Sequence, residues 1–165
     1  YEIPITMLRF FTVYGPWGRP DMALFKFTKN ILSDKPIDVY NEGNMIRDFT
    51  YVDDLVKAIF LLTSKEPDPV SKRNEFIKND NISTVAPFRI VNIGNSKPIN
   101  LLDFIQELEN ILGKGARKKF LDMQDGDIYK THSNIDLLKA ITKFEPKTTI
   151  REGLSEFVKW YKSYY

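Results

Sequence analysis

"ITMLRFFTVYGPWGRPDM", residues 5–22, decides the fold. From Ile5 to Phe11 nearly every position is apolar, with Arg9 the exception. So continuous a run predicts a strand buried on both faces, the habit of a parallel sheet. Gly15, Pro16, Gly18 and Pro20 then forbid a regular helix or strand through the residues that follow. The stretch thus predicts a sheet strand that runs out into a stiff aromatic loop carrying one cation, Arg19.

Working outward, Asp21 is expected to cap a helix from Met22 to about Leu32, ending before Pro36. "PIDVY" (36–40) predicts a short strand, "NEGN" (41–44) a turn and "MIRDFTY" (45–51) a second strand. A helix follows over Asp53–Thr63, its two leading acids suited to the helix dipole. Residues 65–87 are polar, contain three prolines and show no periodicity, so they read as a surface loop. "FRIVNIG" (88–94) is a second strand expected to be buried on both faces.

Asn100 is placed to cap a helix over 101–112, whose apolar stripe is Leu101, Phe104, Ile105, Leu108, Ile111 and Leu112. "KKFLDM" (118–123) predicts a strand, "QDGDIYKTHS" (124–133) a loop, and Asn134 the cap of a short helix. Thr149 and Glu152 form a capping box before a last helix striped by Ile150, Leu154, Phe157, Val158 and Tyr161. Alternating strands and helices define an α/β class. The two long apolar strands have few partners of their own kind, so they are expected to need neighbours from a sheet that lies mostly elsewhere.

Composition narrows the function. Among 165 residues, 24 are basic and 22 acidic, a net charge of +2. The longest basic run, "KGARKKF" (114–120), is short, which argues against a nucleic-acid partner. Cysteine is absent and His132 is the single histidine, so thiolate and histidine metal clusters are excluded. No stretch reaches the ~20 apolar residues of a membrane span. The opening "YEIPITMLRFF" lacks a basic secretory n-region, and the expected location is the cytoplasm.

"LRFFTVYGPWGRPDM" (8–22), "PIDVYNEGNMIRDFTYVDDLVKAI" (36–59), "FRIVNIGNSKPINLLDFIQELENILG" (88–113) and "FVKWYKSYY" (157–165) resemble the extended short-chain dehydrogenase/reductases. Within that superfamily, "WGRPDM" makes the chain most similar to the UDP-glucuronate 4-epimerases, NAD-dependent enzymes of polysaccharide synthesis. The resemblance covers only the second half of such an enzyme. No G-x-x-G-x-x-G fingerprint precedes a helix, and no Tyr-x-x-x-Lys pair occurs. It implies that residues 5–13, 51–64 and 88–95 complete a Rossmann sheet begun in an absent N-terminal half. The remainder would form a small α/β substrate-binding lobe, inactive alone and binding NAD weakly or not at all. The complete enzyme is expected to be a homodimer.

Residue by residue, the resemblance implies a UDP-sugar held by this chain. Arg19, with the Thr12 hydroxyl beside it, would grip the sugar carboxylate; a guanidinium offers two parallel charge-assisted hydrogen bonds that fix direction as well as position. Arg47 would reach the diphosphate, and Gln124 and Asp127 the second phosphate and ribose. Asp125 stands where the family usually has proline. Phe11 and Val13 match positions beside the nicotinamide, although strand-end core packing explains them equally well. Uracil is expected at the edge of "PIDVYN" (36–41). Asp48, the Asp53–Asp54 pair, His132 and the Trp160–Tyr165 aromatics read more simply as structural or surface residues. A UDP-glucuronate decarboxylase or other nucleotide-sugar dehydratase of the same family, and a non-catalytic sugar-nucleotide-binding or partner-docking module, remain as alternatives.

Overall fold

A computed structural model describes residues 3–68 and 80–165. In it, β1 (Ile5–Phe10) pairs in parallel with β6 (Phe88–Ile93), in a register that sets Met7 opposite Ile90 and Phe10 opposite Ile93. β2 (Thr12–Tyr14) pairs in parallel with β5 (Phe49–Tyr51), and β3 (Ile37–Tyr40) with β8 (Lys118–Leu121). Among the described residues one antiparallel pair occurs, joining β4 (Ile46–Arg47) to β7 (Ile99–Asn100). Between them run α1 (Ala23–Leu32), α2 (Val52–Leu62), α3 (Leu101–Leu112), α4 (Asp136–Thr142) and α5 (Ile150–Tyr164). The α/β class and the parallel pairing follow the sequence expectation.

The apolar stripes close two cores. In the first, α1, α3 and α5 enclose β2, β3 and β5 around Phe25, Phe27, Phe104, Leu154 and Phe157. Phe49 stacks on Phe104 with centroids 4.2 Å apart, and Tyr14 meets both rings edge-on. Such pairs add about 0.5–1.5 kcal/mol each beyond area burial. The second core packs α2 and α4 against Leu8, Val91 and Ile93 of the β1–β6 ribbon. Two helices are stopped and started as the sequence expects. Asn100 accepts the Leu102 N–H at 2.8 Å, and Thr149 with Glu152 forms a reciprocal capping box.

Four expectations are corrected. First, β1 is not buried on both faces. Ile5 and Met7 are exposed, Met7 by 51%, because α2 and α4 pack on the other face of the ribbon, against Leu8, Val91 and Ile93; Phe10 is exposed at the strand's end. Second, β6 buries a cation: Arg89 pairs with Asp80 at 3.5 Å and donates to the Lys65 carbonyl. The outer edge of β6 is met by the Asn81 amide, which accepts from Ile90 N and donates to Ile90 O. Third, the strand expected over 45–51 breaks at Asp48 into β4 and β5, which take different partners. Fourth, Asp21 does not cap α1, whose N-cap is Met22 with no side-chain acceptor; the Asp21 carboxylate is taken by Arg19 instead. Residues 69–79 of the expected 65–87 loop lie outside the described residues.

Candidate functional site

Two cavities open on adjacent sides of β2. The larger, about 720 Å³, is lined by Phe11, Thr12, Val13, Trp17 and Arg19. The smaller, about 400 Å³, is lined by Thr12, Asp21, Arg47, Gln124 and Asp127 among others. Thr12 and Met22 line both and so form the partition between them. The sequence-predicted residues therefore sort into two groups: Phe11, Val13 and Arg19 on one side, Arg47, Gln124 and Asp127 on the other, with Thr12 shared.

The smaller cavity is assembled by the loop after β8. Ile46 N–H donates to the Tyr129 carbonyl at 3.0 Å, and Thr131 N–H returns a bond to Ile46 O at 3.1 Å. The loop thus runs beside β4 like an extra strand and carries Asp127 up to Arg47. Arg47 Nη2 donates to Asp127 Oδ1 at 2.8 Å, and its Nη1 donates to the Ile46 and Tyr129 carbonyls, each at 3.1 Å. Only 17% of the Arg47 side chain is exposed, so its direction is fixed by backbone as well as charge. Gln124 to Asp127 closes a turn through Asp127 N–H to Gln124 O at 3.1 Å, with Gly126 at φ 80°. Asp125 occupies the second turn position, where the fixed φ of proline is also suitable. The turn forms without it because Gly126 supplies the left-handed residue.

Asp48 explains why the strand breaks. Its buried carboxylate accepts the Asn95 N–H at 3.1 Å, the Ser96 N–H at 3.0 Å, the Ser133 N–H at 2.8 Å and the Ser133 hydroxyl. Turning inward to meet four donors costs Asp48 its place in a continuous strand. It ties the ends of β2, β5 and β6 together, and the structural expectation for Asp48 holds. Gly94 sits against this knot, where a Cβ would stand 2.2 Å from Ser133 Oγ.

The loop after β2 is braced by rings. Gly15 takes φ 140° beside Val52, and Gly18 N–H closes on the Gly15 carbonyl at 3.2 Å. Trp17, at φ 62°, is left-handed, a strain on the order of 1–3 kcal/mol for a bulky residue. Its ring lies 5.4 Å from Trp160 and 5.1 Å from Tyr164 of α5, contacts that offset most of that strain. The Trp160–Tyr165 aromatics are packing residues, as expected: Trp160 and Tyr164 pack on this loop, Tyr161 and Tyr165 on Phe25 of α1. Arg19, two residues beyond Trp17, donates from Nε to Asp21 Oδ1 at 3.0 Å and from Nη2 to Asp21 Oδ2. Hydrogen bonding from Arg19 holds the Asp21 carboxyl below its usual range.

Val13 packs into the second core while also lining the larger cavity. Phe11 is held by its N–H to Ile93 O at 3.2 Å, at the open end of β6. The sequence reading missed Lys26 and Asn30, which line the smaller cavity from one face of α1. Their i, i+4 spacing was the available signal. Asp38 and Tyr40 of β3 line the same cavity, on the "PIDVYN" strand. His132 is exposed, with its ring near Ser96 Oγ at 3.5 Å. Asp54 does more than start α2: it accepts the Lys147 and Thr148 N–H groups at 3.2 and 2.9 Å. Among the described residues no cluster of metal-ligating side chains occurs, and no helix is long and apolar enough to cross a membrane.

Parallel strands joined through helices, with two cavities at the strand ends, define the fold of the extended short-chain dehydrogenase/reductases. Residues 1–75 match the family described as the NAD dependent epimerase/dehydratase family. The whole chain is 54% identical to Protein CapI of Staphylococcus aureus, covering 49% of that protein. It is 47% identical to the "Probable UDP-glucuronate 4-epimerase" of Rhizobium meliloti, covering 48% of it. The structure of UDP-glucuronic acid 4-epimerase from Bacillus cereus, in complex with UDP-glucuronic acid and NAD, superposes with a TM-score of 0.81 at 32% identity. That match covers 99% of this chain and 46% of the other. The chain is thus similar over residues 1–75 to the NAD dependent epimerase/dehydratase family and, over its whole length, to proteins described as UDP-glucuronate 4-epimerases. It spans about half the length of the curated relatives it matches.

Proposed function

We infer that this chain is the UDP-sugar-binding portion of an NAD-dependent nucleotide-sugar epimerase that interconverts UDP-glucuronate and UDP-galacturonate in the cytoplasm. The observation that carries the reading is the pair of adjoining cavities, one holding a fixed guanidinium, Arg47, and the other a guanidinium aimed by a braced loop, Arg19. A UDP-uronate has two anionic groups on its sugar, the diphosphate at C1 and the carboxylate on C5. Two cations, one in each of two cavities that share Thr12 and Met22, suit that ligand better than a neutral hexose nucleotide.

In this reading Arg47 neutralises the diphosphate, Asp127 and Gln124 turn toward ribose and phosphate, and Asp38 and Tyr40 border the uracil. Phe11 and Val13 would hold the nicotinamide edge of NAD, which when bound accepts the C4 hydride and returns it to the other face. The rest of the cofactor would be held by a portion supplied alongside this chain. That portion is expected against β1 and β6, where Ile5 and Met7 stand exposed.

Arg19 has the chemically demanding task. A 4-keto uronate carries its carboxylate β to a carbonyl, and CO₂ leaves when the carbon–carboxylate bond stands perpendicular to the carbonyl plane. Two parallel hydrogen bonds from a guanidinium hold the group away from that geometry. The reading is tested in two stages. Calorimetry on this chain should show binding of UDP and UDP-glucuronate and feeble binding of NAD. Fusion behind the remaining portion of a relative should yield UDP-galacturonate from UDP-glucuronate. No UDP binding would overturn the nucleotide site, and release of CO₂ as the main outcome would make the site that of a decarboxylase.

A further inference from the structure

Both guanidinium groups described above are engaged by an acid of their own chain, but the two pairs are built differently. Arg47 has two backbone carbonyls besides Asp127 and is mostly buried. Among the described residues Arg19 donates to Asp21 alone, two residues away, and the pair is exposed, 75% and 57% by side chain. Exposed pairs are weak and readily exchanged. The geometry is nonetheless that of fork against carboxylate, Nε to one oxygen and Nη2 to the other. That is the same arrangement an external carboxylate would need to make with Arg19.

The pair also straddles the partition. Arg19 lines the larger cavity and Asp21 the smaller, with Met22 common to both. A ligand lying across the two cavities meets the pair where it crosses. Asp21 has a second place to go: α1 begins immediately after it with no side-chain cap and no acid in its first turn. Its carboxylate would be favoured there by the helix dipole.

We propose that Asp21 is an internal stand-in for the uronate carboxylate, holding Arg19 in its bidentate geometry until the substrate carboxylate takes its place. The proposal rests on the UDP-uronate reading above and adds how the site exchanges one carboxylate for another. A positioning residue of this kind lowers absolute affinity for the uronate, because Arg19 must first leave Asp21. It acts to the same extent on UDP and UDP-glucose, through the charge it adds to the smaller cavity, since neither brings a carboxylate to claim Arg19.

The test is calorimetry of this chain and its Asp21→Asn variant with UDP, UDP-glucose and UDP-glucuronate. The variant should gain about three- to tenfold more affinity for UDP-glucuronate than it gains for UDP or UDP-glucose, which should change by a common factor. A parallel measurement follows the Asp21 carboxyl by carbon NMR as pH is varied. Its titration should move back toward the usual carboxylate range when UDP-glucuronate is added and stay put with UDP. If UDP binds but Asp21→Asn gives the uronate no gain beyond that for UDP, Asp21 is a brace and the exchange is wrong. An unmoved Asp21 titration would overturn it equally. If UDP itself fails to bind, the nucleotide reading falls and this inference falls with it.

Discussion

Arg47 and Asp127, 80 residues apart in sequence, meet at 2.8 Å because the loop after β8 is hydrogen-bonded along β4. The contact turns a surface arginine into a directed one. Asp127 aims the guanidinium while the Ile46 and Tyr129 carbonyls stop it from rotating. Arg47→Ala should therefore weaken UDP and UDP-glucuronate by the same factor. Loss of a charged partner at a half-desolvated site costs about 2 kcal/mol, or roughly thirtyfold in affinity. Calorimetry with both ligands checks it, and unchanged UDP affinity would remove Arg47 from the phosphate site.

Arg19 should govern the fate of the keto intermediate. In a chain completed by the remaining portion of a relative, Arg19→Ala frees the carboxylate to reach the perpendicular geometry. A decarboxylated pentose nucleotide should then appear beside the epimer. Arg19→Lys keeps charge without the planar fork, so it should restore affinity better than product fidelity. Product analysis after incubation with UDP-glucuronate and NAD decides. Clean epimer from both variants would leave the loop as a brace alone.

Asp48→Asn keeps the shape of the knot and removes its charge. An amide nitrogen would then face donors, leaving some of the four bonds unmade. We expect a loss of about 3 kcal/mol and a fall in Tm of roughly 10 °C. Denaturant and thermal melts measure it. A change under 1 °C would mean that the carboxylate charge contributes little to the knot.

The α5 capping box should impose a pH dependence. Hydrogen bonds from the Thr149 side chain and backbone hold Glu152 below the usual glutamate range. A carboxyl that titrates lower in the folded state than in the unfolded one stabilises fully above the ordinary range. That stabilisation is lost as pH falls through the folded value. Thr149→Ala should lower Tm at neutral pH and flatten its acid-side decline. Parallel Tm–pH curves for variant and parent would show that the box is not coupled to protonation.

Features written within a few residues were legible in the sequence. The Asn100 cap and the Thr149–Glu152 box hold because their donors lie two or three residues away. Asp21 was misread because two local partners competed for it, the α1 N-terminus and Arg19, and residue type does not rank them. The break at Asp48 depends on Asn95, Ser96 and Ser133, donors 47 or more residues distant, which no local pattern announces. Continuous apolarity in 5–11 reported a strand suited to burial and could not report whether a neighbour covers it. Arg19 and Arg47 lie in short local motifs of the sequence, whereas Lys26, Asp38 and Tyr40 reach the cavity only once α1 and β3 are packed.

The order in which the chain is made bears on the first core. Tyr14 from β2 reaches the Thr149 carbonyl across 135 residues, and its burial pushes the phenol above its usual range. Phe25, Phe49 and Phe104 wait for Phe157 and Tyr161 of α5, which leaves the ribosome well after α1 and α3. Until then, local contacts can form single helices but nothing closes over the aromatic layer. Nascent chains stalled before residue 150 should therefore present that layer to chaperones and proteases, and protection should come in one step when α5 emerges.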